Sequence, residues 1–417
     1  MTRLPGLSQW HDRVSTHLPH LSRPQAWGLA LWSMGIVLAQ RVGLLMVATV
    51  LAALLDRSVT AMRARLRDWY LDGPDKQGAR HGSKRRTLDV NTCFAPLLRW
   101  VIHLSPAGSH QIALAMDAST LGQRFTVLSI HVVIRGCAIP IAWKIVRATA
   151  KGAWRPHWEA LYRDLAGSTP DGWTVIVLAD RGLYAKWLYD SIVGMGWHPY
   201  LRINRQGKYR PVGGTEFQAL STVVVTGEAG WKGRVVCFAT AERQVTGTLL
   251  ARWAPGATDP WLVLTDLAPE VADVAWYSLR AWIECSYKDM KRGGWHWEQT
   301  KMTDPARAER LWLAMALATL LVVSVGVHDE AMTPHPVLDQ LPPTHIARRR
   351  KGTEPPRRQI SCFQRGRLVV IAAFAQGRSL PPMALIPEPW PESLDTPNAH
   401  ADAPLPHQKA AYQKLYT

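Results

Sequence analysis

The 417-residue sequence predicts an α/β protein in which a mixed-sheet core carries a β-rich insertion and follows an α-helical N-terminal domain. Three observations predict it. Residues 26–39 and 42–54 are apolar runs of helical length. Residues 106–204 alternate short apolar runs with amphipathic stretches, in the order strand, strand, strand, helix, strand, helix, strand. Between 204 and 266 the pattern changes to a period of two, broken by Gly, Pro and Asp turn signals.

In chain order, residues 1–105 read as the helical domain. After its apolar helices, residues 57–86 hold nine Lys or Arg, at 57, 63, 65, 67, 76, 80, 84, 85 and 86, against three Asp. A solvated helix and loop is the plain reading. So large an excess is costly unless a polyanion receives it, which favours contact with nucleic-acid phosphates through residues such as Arg63, Arg65 and Arg67. In the first part of the core, 106–204, strands are expected at 112–115, 125–134, 139–146, 174–179 and 199–203, with a hairpin at Arg135-Gly136 and helices at 154–166 and 184–195. The insertion, 205–267, contains the strand-like segments 221–227, 234–241, 247–254 and 260–267, together with Trp231, Trp253 and Trp261. Each tryptophan reads as a core or turn aromatic; the sharper alternative is that one stacks on a base. Residues 268–330 return to the core, with a helix over 268–295 and an apolar helix from Leu311. The remainder, 331–417, is Pro-rich and basic, with eight Lys or Arg against one Glu over 345–367, a short apolar element at 368–374 and a disordered tail from about Pro387.

The formal charge of +17 and a pI of about 10.0 call for a polyanionic partner. Five cysteines without a CxxC pair argue against a zinc ribbon or a disulfide framework and fit a reducing, cytoplasmic setting. The apolar stretch 28–55 exceeds membrane-span length and 311–327, with 17 residues, is at its short limit. Gln40 and Arg41 interrupt the first, and Asp304, Arg307, Glu309 and Arg310 crowd the second, so buried core helices are expected and no membrane partner. The opening residues do not read as a signal peptide either.

The chemistry lies in three places. At 100° per residue, Tyr277, Arg280, Glu284 and Lys291 fall within an arc of about 60° on the helix over 268–295, with Leu279, Trp282, Ile283 and Met290 opposite. Gly293 and Gly294 supply its stop. Taken alone, this is an ordinary face of Glu/Lys pairs. However, Asp117 and Asp180 each end an apolar run of strand character, where α/β folds place ligand and metal sites. Three carboxylates from two strand ends and a helix suit a pair of hard divalent cations.

These residues resemble the DDE transposases of bacterial insertion sequences, which have an RNase H-like catalytic core, in the subgroup with a Tyr-Arg-Glu-Lys signature. Tyr277, Arg280, Glu284 and Lys291 stand at the signature's intervals of three, four and seven residues, and Asp117 and Asp180 match the two aspartates. The resemblance spans roughly residues 20 to 390 and implies an all-β insertion where one is read here. It implies Asp117, Asp180 and Glu284 as catalytic ligands of two Mg²⁺ or Mn²⁺ ions, with Tyr277, Arg280 and Lys291 on DNA phosphates. It further implies recognition of transposon ends by the N-terminal region, cleavage and strand transfer into target DNA, and a nucleoid-associated homodimer in synapsis. A DNA-binding derivative that no longer cuts, and a nuclease of the same fold without strand transfer, stay open beside it. An intact triad favours activity over the derivative.

Overall fold

The computed structural model describes residues 5–76, 86–106, 108–150, 154–224, 230–254, 256–333 and 360–391. The chain opens with α1 (Pro5–His17), α2 (Arg23–Ala39), α3 (Leu44–Leu55), α4 (Val59–Tyr70) and α5 (Phe94–His103). The two apolar runs are α2 and α3, which meet at a 96° bend where Gln40 adopts a left-handed conformation, φ 54°. Helix α2 begins where the Gln25 side chain accepts a hydrogen bond from the Ser22 N–H at 2.9 Å, and α4 where the Ser58 hydroxyl accepts one from the Ala61 N–H at 3.2 Å. Because α2 is apolar all round, it is buried almost all round, from Gly28 to Val37.

The core follows in the order read from the sequence: β1 (Gln111–Leu121), β2 (Phe125–Ile134), β3 (Cys137–Arg147), α6 (Arg155–Asp164), β4 (Thr174–Ala179), α7 (Lys186–Gly194) and β5 (His198–Arg202). Then come β6 (Lys208–Pro211), β7 (Gln218–Ala219), β8 (Trp231–Cys237), β9 (Val245–Arg252) and β10 (Trp261–Thr265). All belong to one ten-stranded sheet, in the order β3-β2-β1-β4-β5-β10-β9-β8-β6-β7. Its first five positions, with β1, β2 and β3 antiparallel and β4 and β5 parallel to β1, have the RNase H-like arrangement. The strands of 205–267 extend this sheet, because β10 pairs antiparallel with β5. Segment 221–227 is not the strand expected: Leu220–Thr222 is a 3₁₀ turn, and 225–227 lie outside the described residues. The short strands β6 and β7 lie beyond β8, with β7 at the edge of the sheet.

The helix expected over 268–295 is shorter and in two parts. Ala268 closes a turn by accepting from the N–H groups of Val271 and Ala272, and Asp273 restarts the chain by accepting from the Ala275 N–H at 2.8 Å. A 3₁₀ helix, Val274–Ala281, then runs directly into α8 (Trp282–Met290). Lys291 therefore lies just past the helix, while Gly293 and Gly294 form the stop expected of them, their N–H groups donating to the Lys288 and Lys291 carbonyls.

Helix α9 (Pro305–Met332) passes between α2 and β3 and packs along α10 (Cys362–Ala375). It is long and apolar enough to cross a membrane, yet 94% of its most apolar window is buried inside the protein. Glycines bring α9 and α10 into backbone contact: a Cβ on Gly366 would stand 1.7 Å from the Val322 carbonyl oxygen, and one on Gly326 would stand 1.9 Å from that of Cys362. The element expected at 368–374 is the second half of α10; residues 345–359 of the basic stretch lie outside the described residues. The tail does not begin at Pro387. Pro387 bridges to Ile134, Glu388 accepts from the Gly136 N–H at 2.8 Å, and Trp390 packs 4.6 Å from Trp276. Residues 392–417 lie outside the described residues.

Candidate active site

Strands β1 and β4 run parallel with Met116 beside Ala179, so the residues that follow, Asp117 and Asp180, sit at the same level of the sheet. Asp180 leaves the end of β4. Asp117 differs from the strand end read in the sequence: β1 continues to Leu121, paired with β2 alone, because β4 has stopped beside it. That opening in the sheet is roofed by the 3₁₀ helix and α8, which pack over β1 and bring Tyr277, Arg280 and Glu284 to the two aspartates.

All three carboxylates meet one guanidinium. Arg280 Nη1 donates to Glu284 Oε1 at 2.7 Å and Nη2 to Asp117 Oδ2 at 2.8 Å, with Asp180 Oδ2 3.7 Å from Nη2. The Arg280 side chain is 9% exposed, against 23% for Asp117 and 37% for Asp180 and Glu284. The other oxygens of the aspartates face their own loops, Asp117 Oδ1 accepting from the Ala118 N–H and Asp180 Oδ1 from the Arg181 N–H. Burial raises the Asp117 pKa, opposed by Arg280 and the Ala118 N–H and reinforced by Asp180 and Glu284. Burial opposes the Arg280 charge, but Asp117, Tyr277, Asp180 and Glu284 together hold its pKa above the usual arginine value.

The other residues of the signature also turn inward. Tyr277 is buried, its hydroxyl 3.5 Å from Asp180 Oδ1 and its ring edge-on to Trp261 at 5.3 Å. Lys291 Nζ donates to Ser119 Oγ at 2.7 Å and to the Thr120 carbonyl at 2.9 Å, tying the end of α8 to the free edge of β1. The face expected to present Tyr277, Arg280 and Lys291 to phosphates is thus engaged with the protein itself. For Arg280 the reason is electrostatic: three carboxylates gathered in a half-buried opening draw in the nearest cation. Arg63, Arg65 and Arg67 are exposed on α4, which packs on α2, α3 and α9, none of which carries a triad residue. Of the insertion's tryptophans, Trp261 reaches the site through Tyr277, Trp231 packs on Tyr209, and Trp253 donates to the Ala257 carbonyl.

Sequence reading missed two features. Arg202, at the end of β5, places Nη1 3.8 Å from Asp180 Oδ1. Beneath the triad lies a buried polar network: the Tyr287 hydroxyl donates to the Asp117 carbonyl at 2.9 Å and bonds Ser129 Oγ at 2.8 Å, Ser129 Oγ bonds His131 Nε2 at 2.8 Å, and His131 Nδ1 bonds Ser286 Oγ at 2.9 Å. Burial pushes His131 down to about 3, so its imidazole is neutral and can serve both serines. The network joins β1, β2 and α8. A signal existed for Tyr287, which lies three residues after Glu284 and so on the adjoining face of a helix. None existed for His131, one apolar-strand residue among many.

The donor set suits a hard divalent cation, since all three side chains offer carboxylate oxygens. In the arrangement described, however, Arg280 sits among those oxygens, and among the described residues no group of three or more His, Cys, Asp or Glu side chains is close enough to hold a metal ion.

The fold and site define an acidic triad on an RNase H-like sheet. The chain belongs to the transposase DDE domain family, whose model matches residues 108–321, just over half of its 417 residues. A solved piggyBac transposase synaptic complex with hairpin DNA, determined by cryo-electron microscopy, aligns at a TM-score of 0.32 and 12% identity over 75% of this chain and 72% of that one. No curated protein matches the sequence.

Proposed function

We propose that this transposase-family protein cleaves DNA at the ends of a bacterial insertion sequence and transfers those strands into target DNA, with Asp117, Asp180 and Glu284 as its catalytic carboxylates. The observation that carries this reading is the convergence of three carboxylates from β1, β4 and α8 upon a single cation. Transposases of this family generally use divalent metal ions. Here Asp117, Asp180 and Glu284 would hold Mg²⁺ or Mn²⁺, two ions in the reading from the resemblance. Bound there, the ions supply activation of water or a 3′-hydroxyl and neutralisation of charge at phosphorus.

The protein's own groups position the rest. Tyr287 fixes the backbone of Asp117, and Lys291 ties the helix of Glu284 to the edge of β1, so both carboxylates have rigid supports. In this reading Tyr277, Arg280 and Lys291, which surround the opening, meet the phosphates flanking the scissile bond once DNA is bound. Arg280 offers a two-pronged grip and Lys291 a point charge. Residues 1–105, with Arg63, Arg65 and Arg67, bind transposon ends; 106–204 and 268–330 form the catalytic core; 205–267 lies near the cut end; 331–417 adds basic surface. A homodimer in the cytoplasm, at the nucleoid, would bring two ends together.

The test is Mg²⁺- or Mn²⁺-dependent cleavage of a labelled duplex carrying the inverted repeats that flank the gene. Asp117→Ala, Asp180→Ala and Glu284→Ala should each abolish cleavage and keep DNA binding, because binding rests on the basic surface. Cleavage retained in any one variant removes that residue from the triad.

A further inference from the structure

Three carboxylates brought together from two strands and a helix repel one another, and something must hold them in place before any metal arrives. We propose that Arg280 is the positioning residue that does so, and that its guanidinium is exchanged for the metal; this rests on the reading of Asp117, Asp180 and Glu284 as metal ligands. The geometry gives three supports. Oδ2 of Asp117 and Oδ2 of Asp180, the oxygens not held by their own loops, are the ones turned to Nη2 at 2.8 and 3.7 Å, and Glu284 Oε1 is bonded to Nη1 at 2.7 Å. A divalent cation in the opening would compete with the guanidinium for those oxygens. The stem of the fork is unanchored: Arg280 Nε is buried and has no hydrogen-bond partner among the described residues. Finally, Arg280 stands at the junction of the 3₁₀ helix and α8, and its long side chain can leave the opening by rotation about its own bonds while the backbone that carries Glu284 stays in place.

Exchange and a permanent bracket make opposite forecasts. If Arg280 stays to order the ligands, removing it weakens metal binding; if it is exchanged, removing it relieves a competitor and tightens binding. The experiment is titration of the DNA-free full chain with Mn²⁺, followed by electron paramagnetic resonance of the free ion, for the unaltered chain and for Arg280→Gln, Arg280→Lys, Asp117→Asn and Glu284→Gln. Circular dichroism and the thermal midpoint establish that each variant is folded. Arg280→Gln should bind Mn²⁺ about ten- to a hundredfold more tightly, the usual range of coupling between two ligands. Arg280→Lys, which keeps the charge but loses the fork, should tighten it less. Equal or weaker binding by folded Arg280→Gln overturns the exchange. Should that variant not fold, Arg280→Lys decides alone: tighter binding supports the exchange, and equal or weaker binding overturns it. If neither the unaltered chain nor the Arg280 variants bind Mn²⁺, or if Asp117→Asn and Glu284→Gln bind it undiminished, the metal reading of the triad fails and the exchange with it.

Discussion

Asp289→Asn should make the protein more stable than the unaltered chain by a margin that grows with pH. Asp289 lies on α8, and burial pushes its carboxyl up from 3.8 to about 7, against Lys288, the Cys137 thiol and Arg367, which favour the charged form. The folded pKa is above the unfolded one, so between about pH 4 and pH 7 the native chain keeps a proton that the unfolded chain has released. The stability of the neutral acid is therefore fully present below about pH 4 and is lost as pH rises to about 7, with no further change beyond. Three units at 1.36 kcal/mol each set an upper limit of about 4 kcal/mol, and partial exposure of the side chain brings the expected loss to about 2–3 kcal/mol. Asparagine resembles the neutral acid and has no proton to lose. Urea unfolding followed by tryptophan fluorescence, run on both proteins at intervals from pH 4 to 8, isolates this one group, because every other titration is common to the pair. A difference between the two proteins that stays constant across that range would refute the burial of Asp289 as described.

Tyr287→Phe should cost about 1–3 kcal/mol in the same assay, since it strips a buried donor from the Asp117 carbonyl and leaves Ser129 short of a partner; an unchanged midpoint would mean that water replaces the hydroxyl. Gly366→Ala should cost at least about 2 kcal/mol, because its Cβ cannot coexist with the Val322 carbonyl unless α10 moves away from α9, and a thermal midpoint equal to the unaltered protein's would place the helices farther apart. Neutralising Arg63, Arg65 and Arg67 together should weaken binding to duplex ends and lower the slope of log K against log salt by about 2 to 3 units. A slope that does not change would mark α4 as a merely solvated face.

Much of the site was legible because its parts are local. The order of strands and helices from 111 to 202 follows from apolar runs and their periods, and the interval of four between Arg280 and Glu284 brings those side chains together on any helix. Legibility ended where a position depends on a neighbour distant in the chain. Asp117 read as the end of a strand because its apolar run ends there, yet the strand that stops at that level is β4, whose pairing with β1 spans some sixty residues of sequence. The tail beyond Pro387 read as disordered because its composition is poor in apolar residues; Glu388 and Trp390 are ordered by partners at Gly136 and Trp276.

The sequence by itself determined the fold class and the order of the core elements, because these rest on side-chain period, turn residues and spacing along a few turns of chain, while the three acidic residues were singled out through the family resemblance. Only the tertiary structure decided that the β-rich insertion continues the core sheet through β10 on β5, that Arg280 faces the carboxylates rather than solvent, and that a neutral His131 lies beneath Asp117. Strand neighbours, the partner chosen by a cation and the burial of an imidazole are all fixed by groups distant in sequence whose energies exist only once the chain has packed, and no local pattern encodes them.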